Sequence, residues 1–228
     1  MMNNKFGKES VLYIKAKAIN EKTYLQDSYF TAPFKIAKPF FEGDDGVMSL
    51  MIMSSSAGVM EGDNYRLDVE LDKDAKVKLE SQSYQKIHRM KSGNAVQHNS
   101  FNLAKGAFLD YAPKATIPFA ESSFSSSTVC RLEEGAVFIY SDILSAGRVK
   151  SGEVFGFREY RRGIRVYYGR ELIFLENQFL YPKEQTLENI CFFEGFTHQV
   201  SLELISALPT IYMPIQHRQI IERLHPFH

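Results

Sequence analysis

Leu71-Asp72-Lys73-Asp74-Ala75, Leu103-Ala104-Lys105-Gly106-Ala107 and Leu132-Glu133-Glu134-Gly135-Ala136 are three copies of one pattern: a Leu ending a strand, three turn residues, and an Ala opening the next strand. Successive copies are offset by 32 and 29 residues. Asp or Gly in the fourth place tolerates positive φ, as the last residue of a three-residue hairpin loop must. Each copy therefore reads as strand, tight turn, strand. A lone hairpin leaves its face in water, so the copies are expected to stack into a winding, layered β structure with a continuous core.

The flanking sequence agrees. Tyr65, Leu67, Val69 and Leu71 alternate with Arg66, Asp68 and Glu70, which is the period of a half-buried strand. Turn signals recur about every ten residues, at Gly43-Asp44-Asp45-Gly46, Gly62-Asp63-Asn64, Lys91-Ser92-Gly93-Asn94, Ser151-Gly152, Arg162-Gly163 and Gly169. The aromatic residues are 18 Phe and 12 Tyr with no Trp, a set that packs well on pleated surfaces. Helical spacing is confined to Thr186–Phe193 and to Ile215–Leu224, where Pro214 fits the first turn and Pro226 a stop. The expected architecture is all-β, built from repeated hairpins with one or two minor helices: a layered, β-superhelix-like winding structure, the alternative being three similar hairpins in an ordinary sandwich. A chain of this length is expected to form one sizeable domain.

The 27 Lys and Arg balance 27 Asp and Glu, which removes the overall field that draws a protein onto nucleic acid or an anionic membrane. No apolar run approaches the roughly 18 residues of a membrane helix, and the start lacks an apolar leader segment. Cys130 and Cys191 are too few and too far apart for a disulfide framework. The expected location is the cytoplasm.

Familiar catalytic arrangements are missing. Ser54-Ser55-Ser56-Ala57-Gly58 lacks the spacing of a nucleophile elbow, and Gly58-Val59-Met60-Glu61-Gly62-Asp63 lacks the Lys-Ser/Thr of a phosphate loop. The histidines, at 88, 98, 198, 217, 225 and 228, include no pair at helical i, i+4 spacing. Cys191 with His198, or the trio His217, His225 and His228, are weak metal alternatives to a buried thiol and a polar tail. Met48, Met51, Met53 and Met60 read as core fillers rather than soft-metal ligands. Arg158 to Arg170 mixes five Arg with three Tyr around an expected turn, which reads first as a solvated hairpin with charged edges and otherwise as a surface that stacks bases or grips an acidic partner, with Arg161 and Arg162 as partner-surface candidates.

One further set of motifs points to a family. Ser54-Ser55-Ser56-Ala57-Gly58-Val59-Met60-Glu61-Gly62-Asp63, followed by the Leu67 strand, resembles the Ser-x-x-Gly-x-x-x-Gly-Asp signature of the urease accessory proteins UreD and UreH. Thr31-Ala32-Pro33-Phe34-Lys35 with Pro39-Phe40, Gln82 to Ile87, Pro113 to Phe119, and Ser141 to Arg148 with Glu153-Val154-Phe155 are similar to further blocks of that family, in the same order. Together they cover roughly residues 10–205, and five motifs in register are a specific signal. The chain departs from the pattern at Ser141-Asp142, where the family has Trp-Glu. Ala207 to His228 resembles nothing in it, so the resemblance implies a single β domain over residues 1–206 and an atypical tail over 207–228, expected to be truncated or frame-shifted.

The resemblance implies a winding two-layer β fold and a chaperone without turnover. It implies a scaffold that joins a helical UreF-type accessory protein, and through it a UreG-type GTPase, to apo-urease, with no permanent cofactor and a transient nickel ion passing through the interior. Asp63, Asp142 and Glu176 are the matching candidates for that passage; separated carboxylates bind a borderline cation without trapping it. Lys86, Arg148 and Glu153 are assigned to structural pairing, since a buried charge needs compensation. The alternatives are a metal-dependent hydrolase on a β scaffold, using Asp63, Glu153 and a histidine, and a carbohydrate-binding module presenting Tyr160, Tyr167 and Tyr168.

Overall fold

Asp74, Gly106 and Gly135 have φ of 57°, 71° and 72°, and Ala75, Ala107 and Ala136 each donate a 3.0 Å hydrogen bond to the carbonyl three residues earlier. The repeated segments are therefore tight turns, as their residue types require. The computed structural model describes residues 9–207. Its strands are β1 (Glu9–Ile19), β2 (Lys22–Phe30), β3 (Phe34–Ile36), β4 (Met48–Ser54), β5 (Asn64–Leu71), β6 (Lys76–Ser81), β7 (Gln85–Ile87), β8 (Ala95–Leu103), β9 (Phe108–Ala112), β10 (Thr116–Pro118), β11 (Ser123–Leu132), β12 (Val137–Ser145), β13 (Glu159–Tyr168), β14 (Glu171–Leu180) and β15 (His198–Ser206).

They form two stacked sheets. One runs β14-β13-β11-β8-β5-β1-β2; the other runs β3-β4-β6-β9-β12-β10-β7, with β15 paired to β12. The winding two-layer expectation holds, but the repeating unit is an arch rather than a hairpin. The strands before and after each turn lie in opposite sheets, and each pairs in parallel with its counterpart in the next copy: β5 with β8, β8 with β11, β6 with β9 and β9 with β12. The turns stack accordingly, with Asp74 N–H bonded to the Lys105 carbonyl and Gly106 N–H to that of Glu134, both at 3.0 Å. A tight turn with one left-handed residue serves hairpin and arch alike, so its residues alone do not distinguish them. Antiparallel pairing is kept for the margins, including the β1–β2 hairpin, where Asn20 and Glu21 both have positive φ.

Two apolar clusters fill the space between the sheets. One, at the arch end, gathers Ile14, Val69, Phe101, Phe138 and Val166; the other, at the opposite end, gathers Val59, Ile87, Phe124, Leu144 and Phe193. Each such side chain contributes about 1.5–3 kcal/mol by leaving water.

Three local expectations are corrected. Thr186–Phe193 is a run of turns, because positive φ at Cys191, Glu194 and Gly195 breaks the helical path while Leu187 and Phe193 anchor it in the core. Gly163 lies mid-strand in β13, and the turn falls at Gly169. Of the four methionines, Met48 is fully buried but Met60 is 38% exposed. A single 3-10 turn, Val149–Ser151, is the helical element among the described residues. The expected helix Ile215–Leu224, the trio His217, His225 and His228, and the tail from 208 onward lie outside the described residues.

Candidate functional site

Along several strands the inward face changes from apolar to polar and back. On β13 it reads Tyr160, Arg162, Ile164; on β12, Tyr140, Asp142, Leu144; on β8, Ala95, Gln97, Asn99, Phe101. Strand register aligns these positions. One rung of the first sheet is Tyr65, Gln97, Ser126, Arg162, Gln178, and the next is Leu67, Asn99, Thr128, Ile164, Glu176. Opposite them, Asp142 pairs with Ser201 and Tyr140 with Glu203. The result is a polar layer across the sandwich between the two apolar clusters.

Hydrogen bonds knit the layer across the gap. Gln85 donates to Gln97 at 2.7 Å, Arg162 to Ser201 at 3.2 Å and Gln178 to Gln199 at 2.6 Å, each pair spanning the two sheets. Within the first sheet, Asn99 donates to Thr128 at 3.0 Å. A cavity of about 310 Å³ opens into this layer, with Gln97, Asn99, Thr116, Tyr140, Asp142 and Tyr160 among its lining residues.

Arg162 is the centre of charge. Its Nη2 lies 2.5 Å from Glu176 Oε1, its Nε 3.4 Å from Asp142 Oδ2 and its Nη1 3.9 Å from Glu203 Oε1. Three carboxylates thus surround one guanidinium in a place where the Arg162 and Glu203 side chains are 3% and 2% exposed. Burial disfavours charge throughout. It raises the Asp142 pKa against the pull of Arg162, and it raises that of Glu203 to about 8, with a hydrogen bond to Glu176 adding to the rise and Ser201 and Arg162 opposing it. Burial weakens the Arg162 charge too, but Asp142 and Glu176 more than restore it, and its pKa lies above the ordinary value.

The structure therefore unites two of the three passage candidates, Asp142 and Glu176, and adds Glu203. Asp63 stands apart: its Oδ2 accepts from the Met60 N–H and the Tyr65 hydroxyl, both at 2.8 Å, so it reaches the cavity only through the Tyr65 ring. Arg162 cannot be a partner-surface residue, because its rung points inward, whereas Arg161 projects outward with 45% of its side chain exposed. Arg148 pairs with Glu153, which also accepts from the Ala120 N–H. Lys86 is exposed on the cavity rim and forms no ion pair among the described residues, so the pairing expected of it is not made. Tyr160 is 2% exposed and cannot be presented to a glycan. Cys191 is exposed rather than a buried thiol, and no trio of His, Cys, Asp or Glu among the described residues could hold a metal ion.

Glu203 escaped the sequence reading because β15 inverts the usual alternation. Gln199, Ser201 and Glu203 face inward while Val200, Leu202 and Leu204 face out. Arg162 gave no signal of it, because its burial follows from strand register and not from its neighbours in the sequence.

Comparison with known proteins now bears on the site. Residues 8–225 match the family described as UreD urease accessory protein. The chain belongs to that family. It is 75% identical over 201 residues to a urease accessory protein UreD of Acetivibrio thermocellus, covering 88% of this chain and 77% of that one. It is 37% identical to a UreH of Helicobacter hepaticus, over 89% of this chain and 80% of the relative, and 33% identical to a UreH of Helicobacter pylori, over 89% and 77%. Family membership makes this a urease accessory protein with a part in urease maturation.

Proposed function

We propose that the chain works in that maturation without catalytic turnover, as a scaffold and nickel conduit. It holds a UreF-type helical partner, and through it a UreG-type GTPase, against the urease apoprotein, and nickel crosses its interior along the polar layer. The observation that carries this reading is the convergence of Asp142, Glu176 and Glu203 on Arg162 inside a fold whose flanking rungs are apolar. Burying carboxylates costs free energy that pairing only partly offsets, so stability does not explain three of them around one guanidinium.

Their arrangement suits transit rather than storage. Oxygen ligands hold a borderline cation less tightly than a His/Cys cage, and the guanidinium at the centre keeps the three carboxylates from closing into one shell. Nickel is then cargo, and no resident cofactor is required. The work belongs in the cytoplasm, in keeping with two free thiols.

The test is to produce urease with its other accessory proteins and with this chain as wild type, Asp142→Ala or Glu176→Ala, and to measure nickel in the purified urease. Wild type should give loaded urease, and both variants should lower occupancy while still co-purifying with the UreF-type partner. Full occupancy with both variants would sink the conduit.

A further inference from the structure

The cavity is electrically lopsided. Asp142 lies on its buried wall, with Glu176 beyond Arg162, whereas the exposed residues lining it include Tyr84, Lys86 and Lys114. Those two lysines form no ion pair among the described residues, so both ammonium groups are available to a partner. Tyr84 is 57% exposed. Just inside the rim, Ile52, Met53 and Val59 make an apolar wall.

Two ammonium groups at the mouth of a low-dielectric cleft raise the potential where a divalent cation would cross. The rim repels what the interior attracts. Carboxylates supplied from outside would cancel that barrier, and the apolar wall would seat the side chain beside them. A phosphate polymer is a poorer match: it needs a track of cations, while this protein carries equal numbers of cations and anions.

We propose that the cavity rim docks an acidic segment of a partner protein, with its carboxylates on Lys86 and Lys114 and an apolar side chain against Met53. The opening is then closed to free cations until the partner is seated, a consequence that rests on the conduit reading.

The experiment measures binding of the full chain to the UreF-type accessory protein and to the urease apoprotein, each alone, at low and at physiological ionic strength. The variants are Lys86→Glu/Lys114→Glu, the milder Lys86→Ala/Lys114→Ala, and Lys73→Glu as an exposed control in the first arch. Reversal should weaken binding to one of the two proteins about tenfold or more, the alanine pair less, and Lys73→Glu not at all, with the difference shrinking as salt rises. Unchanged affinity of the folded reversal variant for both proteins overturns the proposal, as does an equal loss with Lys73→Glu. Rim-dependent capture of a short oligonucleotide, with no effect on either protein, also overturns it. The two readings fail separately: lost docking with normal nickel transfer by Asp142→Ala rejects the conduit alone, and intact docking with impaired transfer by Asp142→Ala rejects the rim alone.

Discussion

Glu203 is faced by Arg162 from β13, by Glu176 from β14, and by Tyr140 and Asp142 from β12. Its pKa rises from the ordinary 4.5 to about 8, chiefly through burial. The folded protein therefore holds a proton there that the unfolded chain releases. Stability from this group is complete below about pH 4.5 and is lost as pH climbs through about 8. Urea midpoints measured from about pH 5 to about pH 8.5 should fall more steeply for wild type than for Glu203→Gln, which keeps the neutral shape at every pH. Parallel slopes would show that Glu203 binds no proton near neutrality. Single residues were the hardest scale to read in the sequence. Asp142 and Glu176 came from family motifs, and nothing in their neighbours announced that strand register would bring them to one guanidinium.

Among elements, the arch is the unit on which the fold depends. Ala75, Ala107 and Ala136 are all fully buried, and the strands they open pair in parallel from the first copy to the second and from the second to the third. Extra methylenes at such fully buried positions are poorly tolerated. Ala107→Leu should destabilise the protein by about 1–3 kcal/mol, read from chemical denaturation, whereas Lys105→Ala in the same turn should change stability by less than about 1 kcal/mol. Similar losses would mean that the arches do not pack as a column. The repeat was visible because its turn residues recur, and β5 was visible because it alternates apolar-in and polar-out. β14 and β15 were misleading for the opposite reason. Glu176 and Gln178 point inward while Leu175 and Phe179 are 52% and 50% exposed, so hydrophobicity alone assigns these edge strands to the wrong face.

For the whole molecule, parallel pairing joins residues about one coil apart in the chain, and little structure can form locally before the coils meet. Folding is expected in the millisecond-to-second range typical of non-local β topologies, checked by stopped-flow dilution from urea. The same sequence features that gave the winding layers could not give this connectivity, because a turn does not reveal which sheet its second strand joins. The polar layer has a further consequence. Because stability sits in the rungs above and below it, height along a strand acts as an address: Gln97, Ser126 and Arg162 share one level, although each belongs to a different coil. A change of lining chemistry can therefore be written at one level on several strands without redrafting the levels on either side, and the polar layer can be retuned while its framework is left as it stands.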